Sequence, residues 1–271
     1  MGILNVTPDS FYDGGRFDDP GAALARAAEL VEAGADLIDV GGESTRPGAS
    51  AVSAEEEARR VLPVIDRVAR ELDVAISIDT MKAAIAALAL DRGAHVVNDV
   101  SALADPAMPG VVASSGAGVV LMHMRGDPRT MQDAPRYANV VEEVRSFLLV
   151  RAEAALAAGI GAERIVVDPG IGFGKTFDHN WSLIARLEEI VTLPYPVAVG
   201  VSRKAFLGAL LGGAPAAERQ APTLAASVAA VLHGASIVRL HEPAEARPHL
   251  AVADRIRYGE RTGGHDRGRA P

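Results

Sequence analysis

The 271-residue chain has 49% hydrophobic residues, a formal net charge of −8 and no cysteine. The acidic balance argues against nonspecific nucleic-acid binding, and the lack of cysteine excludes a disulfide framework and thiolate chemistry. No apolar run reaches the roughly 18 residues of a membrane span, and Met1 leads directly into a strand-like run rather than a signal peptide. We therefore expect a cytoplasmic protein with no membrane or nucleic-acid partner.

Short apolar runs alternate with amphipathic helical segments along the chain. The predicted strands are 3–4, 37–40, 75–78, 96–97, 119–122, 165–167, 197–201 and 237–240. The predicted helices are 21–33, 54–72, 81–91, 106–115, 140–158, 180–191, 205–211, 223–232 and 244–256. About eight strand–helix repeats predict an α/β fold, a single (β/α)8 barrel (TIM barrel) over residues 1–257, with a doubly wound open sheet as the alternative. The polar, Gly/Arg-rich residues 258–271 are expected to be a disordered tail.

The helix predicted from residue 54 carries clear terminal signals. Ser53 is a candidate N-cap, and Glu56 follows three residues later, which is the pattern of a capping box. Apolar residues recur at steps of three and four, so one face of this helix is expected to be buried. The acidic run 55–57 in its first turn is expected to be solvated and favoured by the helix dipole.

The segment 168–175, Asp-Pro-Gly-Ile-Gly-Phe-Gly-Lys, follows an apolar strand. Its three alternating glycines permit left-handed backbone and a close approach to a ligand. A phosphate-binding P-loop requires glycine where Pro169 stands, and the dinucleotide fingerprint requires G-x-G-x-x-G, so the segment is neither. Asp168 at the tip of an apolar strand must be solvated or paired, which makes this turn a candidate binding site.

Polar side chains follow nearly every predicted strand. They are Asn5, Asp79, Asn98, His123, Asp168, Ser202, Lys204, Arg239 and His241. The C-terminal ends of barrel strands meet at one pole, where the active sites of such barrels lie. Carboxylates and amides suit a flat, nitrogen-rich heterocycle, and the cations, with Arg46 in the loop 42–48, suit an anion at the same mouth. Taken singly, each residue could instead be a structural cap or an internal ion pair.

Several segments together, and in this order, resemble the dihydropteroate synthase family over residues 1–257. The matching segments are 2–11, 42–48, 77–80, 98–99, 168–175, 202–204 and 239–241. The resemblance implies a transferase of folate biosynthesis that joins p-aminobenzoate to 6-hydroxymethyl-7,8-dihydropterin diphosphate. It implies 7,8-dihydropteroate and pyrophosphate as products, a requirement for Mg²⁺, an SN1-like path and a homodimer. Members of the family are targets of sulfonamides, which mimic p-aminobenzoate, and the sequence leaves the sensitivity of this chain open.

The resemblance also implies roles for residues at the barrel mouth. The pterin would contact Asp79, Asn98, Met122, Asp168, Lys204 and Arg239, of which Asp79, Asp168, Lys204 and Arg239 form the catalytic set. p-Aminobenzoate would lie among Thr45, Pro47, Phe173, Ser202 and Lys204. The diphosphate would be held by Asn5, Arg46, Arg239 and His241, and Asn5 would contact the metal.

The chain departs from the family pattern in two ways, and each difference leads to an expectation. Ala205 stands where many members have serine, so only a backbone amide and the helix dipole are expected to face the carboxylate of p-aminobenzoate there. The chain also starts at its first strand, where relatives usually have upstream residues, so either the start is trimmed or the barrel floor is unusually open.

Two other functions stay open at this point. A corrinoid-linked pterin methyltransferase domain shares the barrel and the pterin-facing residues, but it would not need Arg46, the 202–204 turn or the Arg239/His241 pair for a diphosphate. A non-catalytic pterin-binding paralogue would not need an intact anion site either. Turnover of the diphosphate substrate separates the three.

Overall fold

The computed structural model describes residues 1–7, 20–44, 48–49 and 51–259. The strands are β1 (Gly2–Asn5), β2 (Leu37–Gly41), β3 (Ala75–Asp79), β4 (Val96–Asp99), β5 (Gly118–Met122), β6 (Ile165–Asp168), β7 (Ala198–Val199) and β8 (Ile237–Val238). The helices are α1 (Pro20–Glu32), α2 (Ala54–Glu71), α3 (Ala83–Leu90), α4 (Met108–Ser115), α5 (Val140–Ala157), α6 (Phe177–Ala185), α7 (Leu187–Val191), α8 (Ala205–Ala209), α9 (Gln220–Leu232) and α10 (Pro243–Tyr258). Within these ranges, no helix is long and apolar enough to cross a membrane.

The parallel strands follow one another in chain order around a closed ring. β1 to β6 pair in sequence, and β7 pairs with β8. Two parallel bridges complete the ring, one from Val167 to Val197 and one from Gly2 to Leu240. The Ile3 amide donates to the Leu240 carbonyl at 2.9 Å. The predicted (β/α)8 barrel is confirmed, and the open sheet is excluded because both of its edges are paired.

The strands present alternate residues to the helices and to the barrel interior. Ile38 and Val40 of β2 are fully buried in the core that the sheet shares with the helices. Asp39 between them faces inward, where it pairs in register with Ser77 of β3. Polar side chains thus stand inside the barrel on strands that are otherwise aliphatic.

Several predicted element ends differ from the structure. The helix predicted over 180–191 is two helices, α6 and α7, which meet at Arg186. α6 starts earlier than predicted because Thr176 and His179 form a capping box, with both hydrogen bonds at 3.2 Å. α8 ends before the predicted residue 211, and α10 continues to Tyr258, one residue into the predicted tail. Residues 260–271 lie outside the described part of the chain.

The N-terminus of α2 only partly matches its prediction. Ser53 Oγ accepts from the Glu56 amide at 3.2 Å, so the predicted N-cap is confirmed. The Glu56 carboxylate accepts from Arg59 and Arg60. The prediction that the first turn is solvated is wrong for Glu57, which is fully buried. Glu57 lies four residues before the buried Val61 and therefore on the same face of the helix.

Burial of the Glu57 carboxylate is compensated by an ion pair with α3. Lys82, the residue before α3, lies 2.5 Å from a Glu57 oxygen and 2.5 Å from a Glu43 oxygen. Glu43 also accepts from the Val52 amide at 3.0 Å. This cluster connects Glu43 and Val52, on either side of the loop after β2, with Glu57 on α2 and Lys82 before α3.

Candidate active site

The predicted site residues within the described ranges lie at or just beyond the C-terminal ends of the strands. Strands β1, β3, β5 and β6 end at Asn5, Asp79, Met122 and Asp168, respectively, and β4 contains Asn98. The loop after β6 contains Phe173. β7 is followed by Ser202 and Lys204, and β8 is followed by Arg239 and His241. Thr45, Arg46 and Pro47 lie outside the described residues. The structure therefore places the described part of the predicted set at one pole of the barrel.

A network of charged and amide groups joins β2, β3, β4 and the end of β8. Arg239 Nε donates to Asp39 Oδ2 at 2.6 Å, and Arg239 Nη2 donates to Asp79 Oδ2 at 2.8 Å. Asn98 Nδ2 donates to the same Asp39 oxygen at 3.0 Å. Arg239 is thus held by two carboxylates through two of its nitrogen atoms.

Asp39 has no role in the sequence prediction, yet it binds two predicted site residues. It is fully buried. Its second oxygen, Oδ1, and the Oγ of Ser77 beside it have no hydrogen-bond partner among the described residues. A charged residue in the middle of an aliphatic parallel strand has only the barrel interior to face, and this is the signal that could have identified Asp39.

Burial shifts the pKa values of the ionisable groups at this pole. It raises the pKa of Asp79 to about 7, opposed by Arg239 and assisted by the Asp39 carboxylate. It also raises the pKa of Asp168, where the Gly170 amide and then Lys204 oppose the shift. Burial lowers the pKa of Lys204 to about 7, against the attraction of Asp168. The free site therefore has an acid and a base that change charge near neutral pH.

Lys204 faces the loop after β6. Its Nζ donates to the Ile171 carbonyl and lies 4.2 Å from the centroid of the Phe173 ring. The turn that carries it has Arg203 in a left-handed conformation with φ of 58°. The Arg203 amide donates to Thr223 Oγ1 at 2.9 Å, and Arg219 Nη1 donates to the Arg203 carbonyl at 3.0 Å. These bonds from the start of α9 hold Lys204 towards the interior.

Ser202 and His241 bond to each other across the turns after β7 and β8. Ser202 Oγ lies 2.8 Å from His241 Nδ1 and accepts from the His241 amide at 3.2 Å. By resemblance, Ser202 belongs to the p-aminobenzoate subsite and His241 to the diphosphate subsite. The structure therefore brings the two predicted subsites into direct contact.

The glycines after β6 are required by the neighbouring loop. Gly170, Gly172 and Gly174 have φ values of 65°, 84° and 62°. A Cβ on Gly170 would lie 1.9 Å from the His123 carbonyl oxygen, and one on Gly174 would lie 2.6 Å from the Arg125 carbonyl oxygen. The close approach that the sequence suggests for a ligand is thus also made to the loop after β5.

Asn5 is the predicted metal contact. It is half-buried at the end of β1 and pairs with Gly41, which has no side chain to fill the space beside it. Across the described ranges, no three His, Asp or Glu side chains could hold a metal ion. Mg²⁺ commonly binds through one or two protein oxygens together with substrate phosphates and water, and the amide oxygen of Asn5 fits that arrangement.

The fold and the site together define an enzyme of the (β/α)8-barrel class with a cluster of charged and amide side chains at its C-terminal pole. The family described as pterin binding enzyme matches residues 1–241. Dihydropteroate synthase of Escherichia coli K12 is 45% identical over 254 residues, covering 94% of this chain and 90% of that protein.

Solved structures agree with this match. The Yersinia pestis dihydropteroate synthase in complex with a sulfonamide drug has a TM-score of 0.91 at 42% identity, covering 96% of this chain and 94% of that one. The Xanthomonas albilineans dihydropteroate synthase with 4-aminobenzoic acid has a TM-score of 0.89 at 45% identity, covering 94% and 92%. The chain belongs to the pterin-binding enzymes, and within them to the dihydropteroate synthase family of transferases.

Proposed function

We propose that this pole joins p-aminobenzoate to 6-hydroxymethyl-7,8-dihydropterin diphosphate, with release of pyrophosphate. The observation that carries the proposal is that Asp79, Asn98, Asp168, Lys204 and Arg239 lie together at the C-terminal ends of the strands, where Arg239 bonds to Asp79 and the charges of Lys204 and Arg239 act on Asp168. A pterin edge offers N–H donors and ring acceptors, and this set offers the complementary carboxylates, amide and cations. Buried carboxylates without a bound heterocycle are costly, which is consistent with their raised pKa values.

The pterin is proposed to lie against the strand ends. Asp168 and Asp79 accept from its N–H groups, and Asn98 is oriented for it by Asp39. Met122, which is buried at the end of β5, and the guanidinium of Arg239 pack against the ring. Because Arg239 is fixed by two carboxylates, its plane is set before substrate binds.

The diphosphate is proposed to be held by Asn5, Arg46, Arg239 and His241, with Mg²⁺ bound by Asn5 and the phosphate oxygens. When bound, Mg²⁺ would neutralise the charge that develops on the leaving pyrophosphate. The chain's own cations add to this and orient the C–O bond that breaks. Arg46 lies outside the described residues, so its part rests on the family pattern.

The chemistry needs no protein nucleophile. The C–O bond to the diphosphate breaks and its electron pair leaves with pyrophosphate, so positive charge develops on the methylene carbon attached to the pterin. The Asp168 carboxylate stabilises this charge. The amine of p-aminobenzoate then forms the C–N bond and loses a proton. Thr45, Pro47, Phe173, Ser202 and Lys204 are proposed to surround p-aminobenzoate.

Three further features belong to the proposal. Exposed apolar side chains on α9 and α10, namely Leu232, Val252, Ile256 and Tyr258, support a homodimer, which light scattering would test. Complete absence of cysteine is compatible with a cytoplasmic location. Inhibition by sulfonamides would follow if the proposed p-aminobenzoate subsite is intact, because the drugs mimic this substrate.

Pyrophosphate release tests the proposal. Wild-type protein with the dihydropterin diphosphate and Mg²⁺ is expected to release pyrophosphate in a p-aminobenzoate-dependent manner, and the Lys204→Ala variant is expected to lose this turnover. The matched control is Arg70→Ala, which removes an exposed cation from the last turn of α2. Tight pterin binding without turnover by the wild type would instead favour a non-catalytic binding protein.

A further inference from the structure

The loop after β6 is bonded to side chains at four consecutive carbonyl groups. We call residues 169–174 loop 6 and residues 123–139 loop 5. The carbonyl oxygens of residues 171 to 174 accept, in order, from Lys204, Gln132, Lys175 and Tyr137. The last three distances are 2.7, 2.9 and 2.7 Å. These groups have no sheet partner, so the four donors help to set the conformation of loop 6, together with the bond from the Gly172 amide to Asn180 Oδ1 at 2.7 Å.

Two of the four donors belong to loop 5. The Tyr137 hydroxyl donates to the Gly174 carbonyl, and the Gln132 amide donates to the Gly172 carbonyl. The Tyr137 ring is fixed from two sides, by Arg125 at 4.6 Å from its centroid and by His179 at 5.0 Å between ring centroids. Burial raises the pKa of Tyr137 to about 12, so its hydroxyl remains a donor at any physiological pH.

The third donor, Lys175, ties loop 6 to the end of β5. Its side chain is buried, and its Nζ lies 2.9 Å from the Phe173 carbonyl oxygen, 2.9 Å from His123 Nδ1 and 3.3 Å from the His123 carbonyl oxygen. Burial lowers the pKa of His123 to about 3, so its ring is neutral and Nδ1 can accept. Loop 6 is therefore held by hydrogen bonds from Lys175 and from two side chains of loop 5.

Phe173 lies within the run of residues whose carbonyl groups accept these bonds. The carbonyls on both sides of it and its own carbonyl are bonded, while its ring is half-buried beside the Lys204 ammonium group. A shift of the loop backbone moves this ring with it. The position of the ring thus depends in part on the loop 5 side chains that bond to the backbone on either side of Phe173.

We infer that Tyr137 and Gln132 are positioning residues for the arylamine subsite: they act through the backbone of loop 6 on Phe173 and set the affinity for p-aminobenzoate. This inference rests on the proposed function, in which Phe173 borders on p-aminobenzoate. Neither residue takes part in the charged network of Asp39, Asp79 and Arg239, and their bonds go to Gly172 and Gly174, so changing them removes no bond to a residue of the proposed pterin subsite.

The test is a comparison of Michaelis constants in the full-length chain. Tyr137→Phe and Gln132→Ala are each expected to raise KM for p-aminobenzoate by about threefold to tenfold, the factor that one neutral hydrogen bond supplies. KM for the dihydropterin diphosphate and kcat are expected to stay within about twofold, since no bond on the pterin side is lost. The matched controls are Ser114→Ala on α4, which also loses a hydroxyl that donates to a backbone carbonyl, and Asp133→Ala; both residues are exposed and both variants are expected to behave as wild type.

Amide hydrogen exchange of the segment 170–174 gives a readout that needs no substrate. Exchange is expected to be faster in Tyr137→Phe than in the wild type and unchanged in Ser114→Ala. An active wild type whose KM for p-aminobenzoate is unchanged in both loop variants, or whose two KM values rise equally, would overturn the positioning inference alone. A wild type without turnover would overturn the proposed function as well, and the exchange rates would still show whether Tyr137 holds the loop.

Discussion

On the side of β2, β3, β4 and β8, the functional groups are side chains that stand on or next to strands, whereas on the side of β6 and β7 they depend on loop backbone. The first group, Asp39, Asp79, Asn98 and Arg239, is called the strand wall. The second, loop 6 with Phe173 and the turn 202–204 with Lys204, is called the loop wall. The strand wall is held by charge, and the loop wall is held by hydrogen bonds to carbonyl groups.

The difference follows from how each wall obtains its rigidity. Parallel strands fix the positions of Asp39 and Asn98 through the sheet register, so a few charged contacts complete the strand wall. Loop 6 lacks that support and takes it from Tyr137, Gln132 and Lys175. We therefore expect the strand wall to be sensitive to loss of charge and the loop wall to be sensitive to added volume.

The largest effect is expected when the strand wall loses its cation. Arg239→Met removes the cation that pairs with Asp39 and Asp79, and Asp39 is fully buried. The free energy of unfolding, measured by urea denaturation at pH 7, is expected to fall by about 3 to 5 kcal/mol. The double variant Arg239→Met with Asp39→Asn is expected to recover part of this loss. Equal stability of the wild type and the single variant would contradict the ion-pair account.

The next largest effect is expected from added volume in the loop wall. Gly170→Ala places a Cβ 1.9 Å from a backbone oxygen at a φ of 65°. The matched control is Gly212→Ala, which has a φ of 68° and nothing within 4 Å of its Cβ. The control carries only the conformational cost of roughly 1 to 2 kcal/mol, and Gly170→Ala is expected to cost about 2 kcal/mol more. Similar unfolding free energies in the two variants would show that loop 5 and loop 6 do not pack as described.

The pH dependence of kcat/KM is expected to report on one titrating group in each wall, Asp79 in the strand wall and Lys204 in the loop wall. Asp79, with its pKa raised to about 7, must lose its proton, so activity is expected to fall as the pH drops below about 7. Lys204, with its pKa lowered to about 7, must keep its proton, so activity is expected to fall as the pH rises above about 7. Lys204→Arg is expected to abolish the alkaline limb because arginine stays charged. A flat profile between about pH 6 and 9 in the wild type would contradict both assignments.

The smallest effect concerns the loop wall at the start of α8. Ala205→Ser restores the hydroxyl that many family members have beside Lys204. We expect KM for p-aminobenzoate to fall by about twofold to tenfold, the contribution of one hydrogen bond, with KM for the diphosphate unchanged. A matched Ala209→Ser variant at the far end of the same helix is expected to have no effect. An unchanged KM in Ala205→Ser would place the carboxylate of the substrate elsewhere.

Much of the strand wall could be predicted from the sequence. Asp79 and Asn98 directly end apolar runs, and the alternation of strands and helices places such ends at one pole. Asp39 could not be assigned by motif, because its role depends on its register beside Ser77 and its bond to Arg239, 200 residues further on. The burial of Glu57 was missed although it could have been predicted, because helical periodicity places a residue four positions before Val61 on the buried face.

The loop wall was harder to predict. The glycines of loop 6 indicate an unusual backbone, but the donors to its carbonyls are remote in sequence, as with Gln132 and Gly172, which are 40 residues apart. Such bonds depend on how two irregular loops meet, and no periodicity describes that contact. Lys175 directly follows the glycine run, yet its bond to His123 became visible only in the folded chain.

The most direct test of the account is to determine both Michaelis constants in one strand-wall variant and one loop-wall variant. Asp39→Asn weakens the support of Arg239 and Asn98, and it is expected to raise KM for the dihydropterin diphosphate while KM for p-aminobenzoate stays near the wild-type value. Tyr137→Phe is expected to give the opposite pattern. Equal increases of both constants in both variants would contradict the division of the site into two independently supported walls.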